Sequence, residues 1–482
     1  MDYALSLSID LSLVYAELAL LGAAFVILLT SFTRVGRQVA PWATGLGLVL
    51  ALLFALEQWG HQASGFADMV TCDHFGVLFK VIFILIAMLS TLIAHRFLIA
   101  KGIFRPEFYA MILVSTIGMM VMANSTDLVV IFLGLEIMSV PLYVMAAFNR
   151  RSLASNEAGI KYFIMGAFAS AFVLMGIAFI FGAAETTNLR RVVADFTYIA
   201  NNFGPYFYTG VALVLVGFAF KVGAVPFHTW VPDVYQGAPT PVTAFFSVGP
   251  KAAGFAALMR IFLYGFSNVA AMEPIFWFLA VLTMTVGNVL ALRQDNVKRM
   301  LAYSSISHAG YLLVAMTVGG ADAISAAVFY LVAYTLFNLG AFAVVTILET
   351  RAGCVSDFSE MRGLSRAHPL MAALLALFMF ALSGFPPTVG FFGKFYIFSA
   401  AVHKGFIWLT IIGVMNSFVS VYYYLRVVKT SYFDDAEGAI IKAVVNPATV
   451  VALLIAMIGT LGLGILPEQL LQLTQKAIFA FI

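Results

Sequence analysis

Fourteen apolar stretches, each long enough to cross a bilayer as helix, set the terms on which this chain can fold. A hydrocarbon core of roughly 30 Å takes about 20 residues of helix. That ruler marks approximate segments 13–33, 41–57, 75–94, 107–123, 127–148, 158–182, 207–229, 241–266, 273–292, 301–319, 322–348, 370–402, 404–427 and 446–467. With 62% hydrophobic and 10% charged residues and a mean hydropathy of +1.00, the chain is too apolar for a water-soluble globule. The expected fold is an all-α polytopic membrane protein. The longest polar connection, near 183–206, is too short for a soluble domain, so residues 1–482 form a single membrane domain. The first run, Leu13 to Phe32, has no basic segment before it and reads as a first span rather than a cleaved signal.

Lys and Arg collect on the cytoplasmic side of membrane proteins. Connections after odd-numbered spans hold 16 of them and those after even-numbered spans, with the C-terminal end, hold 4. This places both termini on the outer side of the membrane. The net charge of +3 is spread along the chain, with no basic patch that would draw nucleic acid. Cys72 and Cys354 stand far apart and cannot supply the ligands of an iron–sulfur cluster, so an electron carrier belongs to a partner. The seven histidines lack HxxxH or HExxH spacing, and no glycine-rich phosphate loop precedes a lysine.

Two regions join span-like hydrophobicity to clustered Pro and Gly, which end or kink helices. They are Gly223 to His228, in span 7, and Ser383 to Gly390, in span 12. Segment 370–402 is also too long for one straight crossing. Breaks five spans apart predict two five-helix repeats, spans 4–8 (107–266) and 9–13 (267–430), flanked by helices 1–3 (1–106) and helix 14 (431–482). An odd number of spans per repeat inverts the second copy, as in transporters with broken helices.

Each break lies beside a lysine. Lys221 precedes the first, Lys394 follows the second, and Lys251 lies deep in span 8. Each costs about 2.5–3.5 kcal/mol if left charged and unpaired. Glu136, about nine residues into span 5, sits roughly 14 Å deep. With Lys161, four lysines face this one deep carboxylate. Structural ion pairs cannot account for such an excess, whereas a row of groups exchanging protons can. Lys161 is nearer the cytoplasmic end and can snorkel. His228 follows Lys221 by seven residues, two turns on an unbroken helix, and His308 lies in a serine-rich span; both are secondary proton-path candidates. Lys80 and Arg260, toward the outer ends of their spans, read as interfacial anchors.

Longer motifs carry a resemblance. Leu133-Gly134-Leu135-Glu136, Phe220-Lys221 with Val225-Pro226-Phe227-His228, the run from Trp230 to Val242, Tyr303 to His308, and Gly384-Phe385-Pro386-Pro387 through Gly393-Lys394-Phe395 resemble the antiporter-like membrane subunits of respiratory complex I. The likeness covers essentially the whole chain and is greatest to the branch called subunit N. Lysine at 394, where subunit M has glutamate, separates it from that sibling. The chain also stops soon after span 14, without the long lateral helix of subunit L.

The resemblance implies a proton-translocating subunit of NADH:quinone oxidoreductase with fourteen helices in two inverted repeats. It implies sibling membrane subunits, a peripheral redox arm reached indirectly, and a bacterial inner membrane. Flavin, iron–sulfur clusters and quinone are then expected in partners, with no cofactor or metal in this chain. In that family the counterpart of Glu136 pairs with that of Lys221, Lys251 connects the halves and Lys394 leads outward. Multi-subunit cation/proton antiporters and complexes using ferredoxin or another donor share the family, and the sequence leaves them open as alternatives.

Overall fold

The computed structural model describes residues 10–267, 269–349, 357–435 and 446–479. Among them, 13 helices are long and apolar enough to cross a membrane. Spans 1–6 are Leu11–Ser31, Gly36–Glu57, His74–Ala100, Glu107–Asn124, Leu128–Ala146 and Leu153–Ala184. Span 7 is Phe196–Val222, continued after a break by Trp230–Gly237. Spans 8–11 are Thr240–Gly265, Met272–Leu292, Val297–Val318 and Gly320–Leu348. Span 12 consists of two half-helices, Pro369–Ser383 and Val389–His403, and completes fourteen crossings. Span 13 is Ile407–Phe433 and span 14 is Pro447–Ile465. A short hairpin, Ala63–Gly65 paired with Val70–Cys72, joins spans 2 and 3 and marks one face of the molecule. Arg351, Cys354 and Lys442 lie outside the described residues.

Spans 8 and 11 are wholly enclosed, and spans 1, 2, 6, 13 and 14 form a rim with most of their surface outward. Because lipid and protein interior are both apolar, close packing of small residues is what holds neighbouring spans together. Gly118 on span 4 lies against Gly134 on span 5, and Gly287 on span 9 against span 10 at Tyr303 and Ser307, each leaving no room for a side chain. The first two spans of the two expected repeats thus pack in the same manner.

Both helix breaks begin with the same device. Gly223 (φ +74°) ends the first half of span 7, and Gly384 (φ +84°) ends that of span 12. At each, the next amide reaches back five residues, Ala224 N to Ala219 O (2.8 Å) and Phe385 N to Phe380 O (3.0 Å). This left-handed cap favours glycine, which lacks the Cβ that opposes positive φ. Val225–Pro226 and Pro386–Pro387 follow as cis peptides.

Three sequence expectations need correction. Span 7 starts at Phe196, not near 207, because the polar stretch around Asn201 and Asn202 is helical, with a bend at Phe203 just before Pro205. Lys80 and Arg260 are no snorkelling anchors: each is 1% exposed. Lys80 Nζ lies 3.0 Å from Glu17 and also donates to Leu13 O and Gln58 Oε1. Arg260 grips Asp73 through two nitrogens, at 2.8 and 2.7 Å, and donates through Nε to Ala123 O. Finally, Glu17 and Asp73 join Glu136 as largely enclosed acids, but both are consumed by these pairs and leave the lysine excess intact.

Candidate functional site

The helix breaks create the polar centre. A helix that ends inside a membrane leaves carbonyls that water cannot reach, so protein groups must meet them. At the first break, Trp230 Nε1 donates to Phe220 O at 2.9 Å. At the second, Lys394 Nζ donates to Leu382 O (3.1 Å) and Ser383 O (2.9 Å), where its charge also complements the negative end of the half-helix. Pro250 likewise frees Phe246 O inside span 8, which accepts from Tyr235 Oη at 3.3 Å. The next residue is Lys251.

Lys221, Lys251 and Lys394 are 5, 4 and 5% exposed. No described carboxylate oxygen comes within 4.0 Å of their ammonium nitrogens. Hydroxyls, carbonyls and aromatic faces surround them instead. Lys221 donates to Ser139 Oγ at 2.6 Å and lies 5.6 and 5.5 Å from the ring centres of Tyr143 and Tyr162. Lys251 donates to the hydroxyl and carbonyl of Ser305 on span 10 and sits 5.0 Å from the Tyr334 ring of span 11. Lys394 adds Ser417 Oγ at 3.0 Å and the Tyr311 ring at 4.9 Å.

The expected Glu136–Lys221 ion pair is absent. Glu136, half-buried, accepts instead from Ser170 Oγ on span 6. Ser139 follows Glu136 by three positions on span 5, which places it about 5–6 Å away on the same helix face. The serine therefore stands at the lysine, and the carboxylate acts on it through space.

His308 lies at the centre of the second half, 1% exposed. Its Nδ1 is 2.5 Å from Tyr330 Oη and its Nε2 2.9 Å from Tyr424 Oη, while Tyr424 also bonds Ser304. A neutral imidazole has one donor and one acceptor nitrogen, and a hydroxyl can serve either role. This ring can take a proton on one nitrogen and release one from the other. Its centre is 5.0 Å from that of Tyr334, which underlies Lys251, and 5.7 Å from that of Tyr311, which underlies Lys394. His308 thus sits between two lysines from different spans.

Lys161 belongs to another group. Its ammonium is 2.7 Å from Glu157 and 2.8 Å from Asp233, and Asp233 also binds Arg299 at 2.8 Å. This network is partly exposed on the face opposite the hairpin. His228 does not align with Lys221 along one helix, because the helix ends at Val222; it lies within the break, half-buried, and its Nδ1 has no hydrogen-bond partner. Sequence reasoning missed Ser139, Ser305, Tyr330, Tyr424 and the buried Lys298, whose Nζ donates to Ala238 O at 2.7 Å. The first four are common residue types, made notable only by which spans meet.

Comparison with known proteins adds family context. Residues 125–420 match the family model described as NADH:quinone oxidoreductase/Mrp antiporter, TM. The NADH-quinone oxidoreductase subunit N of Trichlorobacter lovleyi is 46% identical, over 98% of this chain and 97% of its own. A chain of respiratory complex I from Thermus thermophilus superposes with a TM-score of 0.81 at 33% identity, covering 95% of this chain and 98% of that one. A chain of the Mrp complex from Dietzia sp. shares the fold at TM-score 0.84 and 22% identity, over 97% of this chain and 96% of that one.

Proposed function

This chain belongs to the NADH:quinone oxidoreductase/Mrp antiporter transmembrane family as a subunit-N-type, antiporter-like membrane subunit of NADH:quinone oxidoreductase, and from that premise we propose a proton route through its buried lysines. The observation that carries it is the set of three enclosed lysines with no carboxylate within 4.0 Å among the described residues. An ammonium held by hydroxyls and carbonyls can lose its proton without leaving a carboxylate stranded in a low-dielectric interior.

The proposed order is Lys221, then Lys251 with Ser305, then His308 with Tyr330 and Tyr424, then Lys394. Glu136 biases Lys221 from a half-buried position beside the exposed Leu133 and Ile137, where a neighbouring membrane subunit can reach it. Lys161 and Asp233 serve at the cytoplasmic edge, and His228 in the first break is a secondary site. The charge pattern supports a cytoplasmic basic face and a hairpin face outside, with both termini outside, in a bacterial inner membrane. The division into 1–106, 107–266, 267–430 and 431–482 is supported by the matching glycine caps and matching first-pair packing. Flavin, iron–sulfur clusters and quinone are assigned to partner subunits, since two distant cysteines cannot hold a cluster. The cation-antiporter alternative is less suited to a route of lysine, histidine, tyrosine and serine, whose positive members repel a bare cation while passing protons.

Lys251→Ala tests the route at its middle. The complex is expected to assemble and retain its redox centres while NADH-driven acidification of inverted vesicles falls by at least the share this subunit moves. Full pumping by that variant would remove Lys251 from the route.

A further inference from the structure

Spans 2 and 3 are joined at one end and parted at the other. On the hairpin side, Gln58 Oε1, just past span 2, accepts from Lys80 Nζ of span 3 at 3.0 Å. Midway along, span 2 turns to span 1 instead: Gly47 lies so close to Ala23 that no side chain fits between them. Toward the basic face this leaves a groove of about 630 Å³ between the start of span 2 and the end of span 3. Arg37, Gln38 and Trp42 line one side of it, and His95, Ile99 and Phe104 the other. None of the lining residues is acidic. Arg34, Arg96 and Arg105, beside them in sequence, are exposed like Arg37. Lys101 is already engaged by Glu349 at 3.3 Å, and Glu107, the acid that follows this turn, does not line the groove.

We propose that this groove binds one anionic phospholipid of the cytoplasmic leaflet, with its phosphate on Arg37 and its acyl chains along the outer face of span 2. The site is separate from the lysine route and does not depend on it. A groove that opens on the bilayer is filled by lipid or by a helix of another chain, and here charge selects lipid: a basic pocket between spans on the cytoplasmic side draws an anionic headgroup. The guanidinium fork matches a phosphate geometrically as well as electrically. Depth agrees with this assignment. Arg37 is the second residue of span 2, at headgroup level, whereas Trp42 lies about 9 Å along the helix and His95 about 8 Å before the end of span 3, at the level of the glycerol esters. Tryptophan favours that layer. The His95 ring is held by Tyr109 Oη, 2.7 Å from Nδ1, and by the edge of Phe104. With Tyr109 as donor, Nε2 carries the ring hydrogen and donates it to a lipid ester carbonyl. Below Trp42, Leu46, Val49 and Leu53 follow at helical spacing on the same face, each exposed, and form an apolar track for an acyl chain.

The test reconstitutes the full complex in phosphatidylcholine vesicles with a trace of phosphatidylglycerol or phosphatidylcholine that carries a photoactivatable diazirine in one acyl chain. Labelled residues of this chain are then read by peptide mass spectrometry. Phosphatidylglycerol is expected to label Trp42, Leu46 and Ile99 about fivefold more than phosphatidylcholine does, the factor that one basic residue gives toward an anionic lipid. Arg37→Glu, a change at an exposed position, is expected to abolish that preference in a complex that still assembles. Equal labelling of these residues by the two lipids makes the groove ordinary bilayer contact and overturns the proposal. Absence of label there, with other surface residues of the chain labelled, shows that another subunit covers the groove and overturns it too. A preference that survives Arg37→Glu overturns the assignment of the phosphate to Arg37. The comparison of the two lipids needs no variant, so the site is tested even if Arg37→Glu fails to assemble.

Discussion

Lys394→Arg is expected to give a complex that assembles normally and whose proton pumping falls by at least the share this subunit moves. Lys394 has two tasks in the structure. Its ammonium satisfies Leu382 O and Ser383 O, the terminal carbonyls of the first half of span 12, and it is the last lysine of the proposed route. Alanine removes both functions and leaves buried carbonyls unmet, at a cost of about 1–3 kcal/mol each. Arginine keeps the positive charge and several donors, so the half-helix retains its cap. It cannot deprotonate in a protein, however, and so cannot hand a proton on. Native electrophoresis and redox-centre content report assembly, and dye quenching in inverted vesicles reports pumping. If the arginine complex pumps at the unaltered rate, Lys394 is a cap and nothing more.

Arg260→Leu is expected to have the opposite profile, removing the subunit from the membrane rather than silencing it. Arg260 ties span 8 to Asp73 at the start of span 3 and, through Ala123 O, to span 4. Removing one partner of a buried pair strands the other, at about 3–5 kcal/mol. That is a large share of the net stability of a folded chain, about 5–15 kcal/mol. Asp73 also caps span 3 by accepting from Gly76 N at 2.7 Å. Adding Asp73→Asn to Arg260→Leu removes the stranded charge and keeps a good capping residue, so the pair of changes should recover part of the lost protein. Membrane levels of the chain, by immunoblot, and its thermal unfolding check both variants. Normal levels in Arg260→Leu alone would show that Asp73 finds another partner or water.

The difference between these two expectations tracks what the sequence could reveal. Spans announce themselves because lipid demands long apolar helices, and the breaks because Pro and Gly cannot continue one. Lys221, Lys251 and Lys394 were legible for a related reason: a lysine in the middle of an apolar run has nowhere to snorkel. Arg260 and Lys80 looked ordinary because they lie near span ends, where water is close in an isolated helix. The packing of spans 1 to 4 around them, which no local pattern encodes, takes that water away.

Contacts made across large sequence separations were also hidden. His308, Tyr330 and Tyr424 stand on spans 10, 11 and 13; His308 was a candidate from the sequence, but the two tyrosines that flank it were each an unremarked polar residue. Glu136 and Lys221 were joined by family likeness, yet the choice of Ser139 over Glu136 depends on the rotational setting of span 5 against span 7. The early start of span 7 was missed because asparagines and tyrosines near its end resemble a loop, although a helix reaching beyond the apolar core carries the same residues.

The most direct measurement is the number of protons moved per NADH oxidised by the purified complex in sealed vesicles when Lys221, Lys251 and Lys394 are all methionine. Methionine keeps an unbranched side chain in each place and removes the three lysine carriers of the route. The expected result is a fully assembled complex whose proton yield falls below that of the unaltered complex by the share this subunit moves, or whose NADH oxidation stops with the blocked route. An unchanged proton yield at an unchanged rate of NADH oxidation would contradict the route and leave this chain a membrane scaffold.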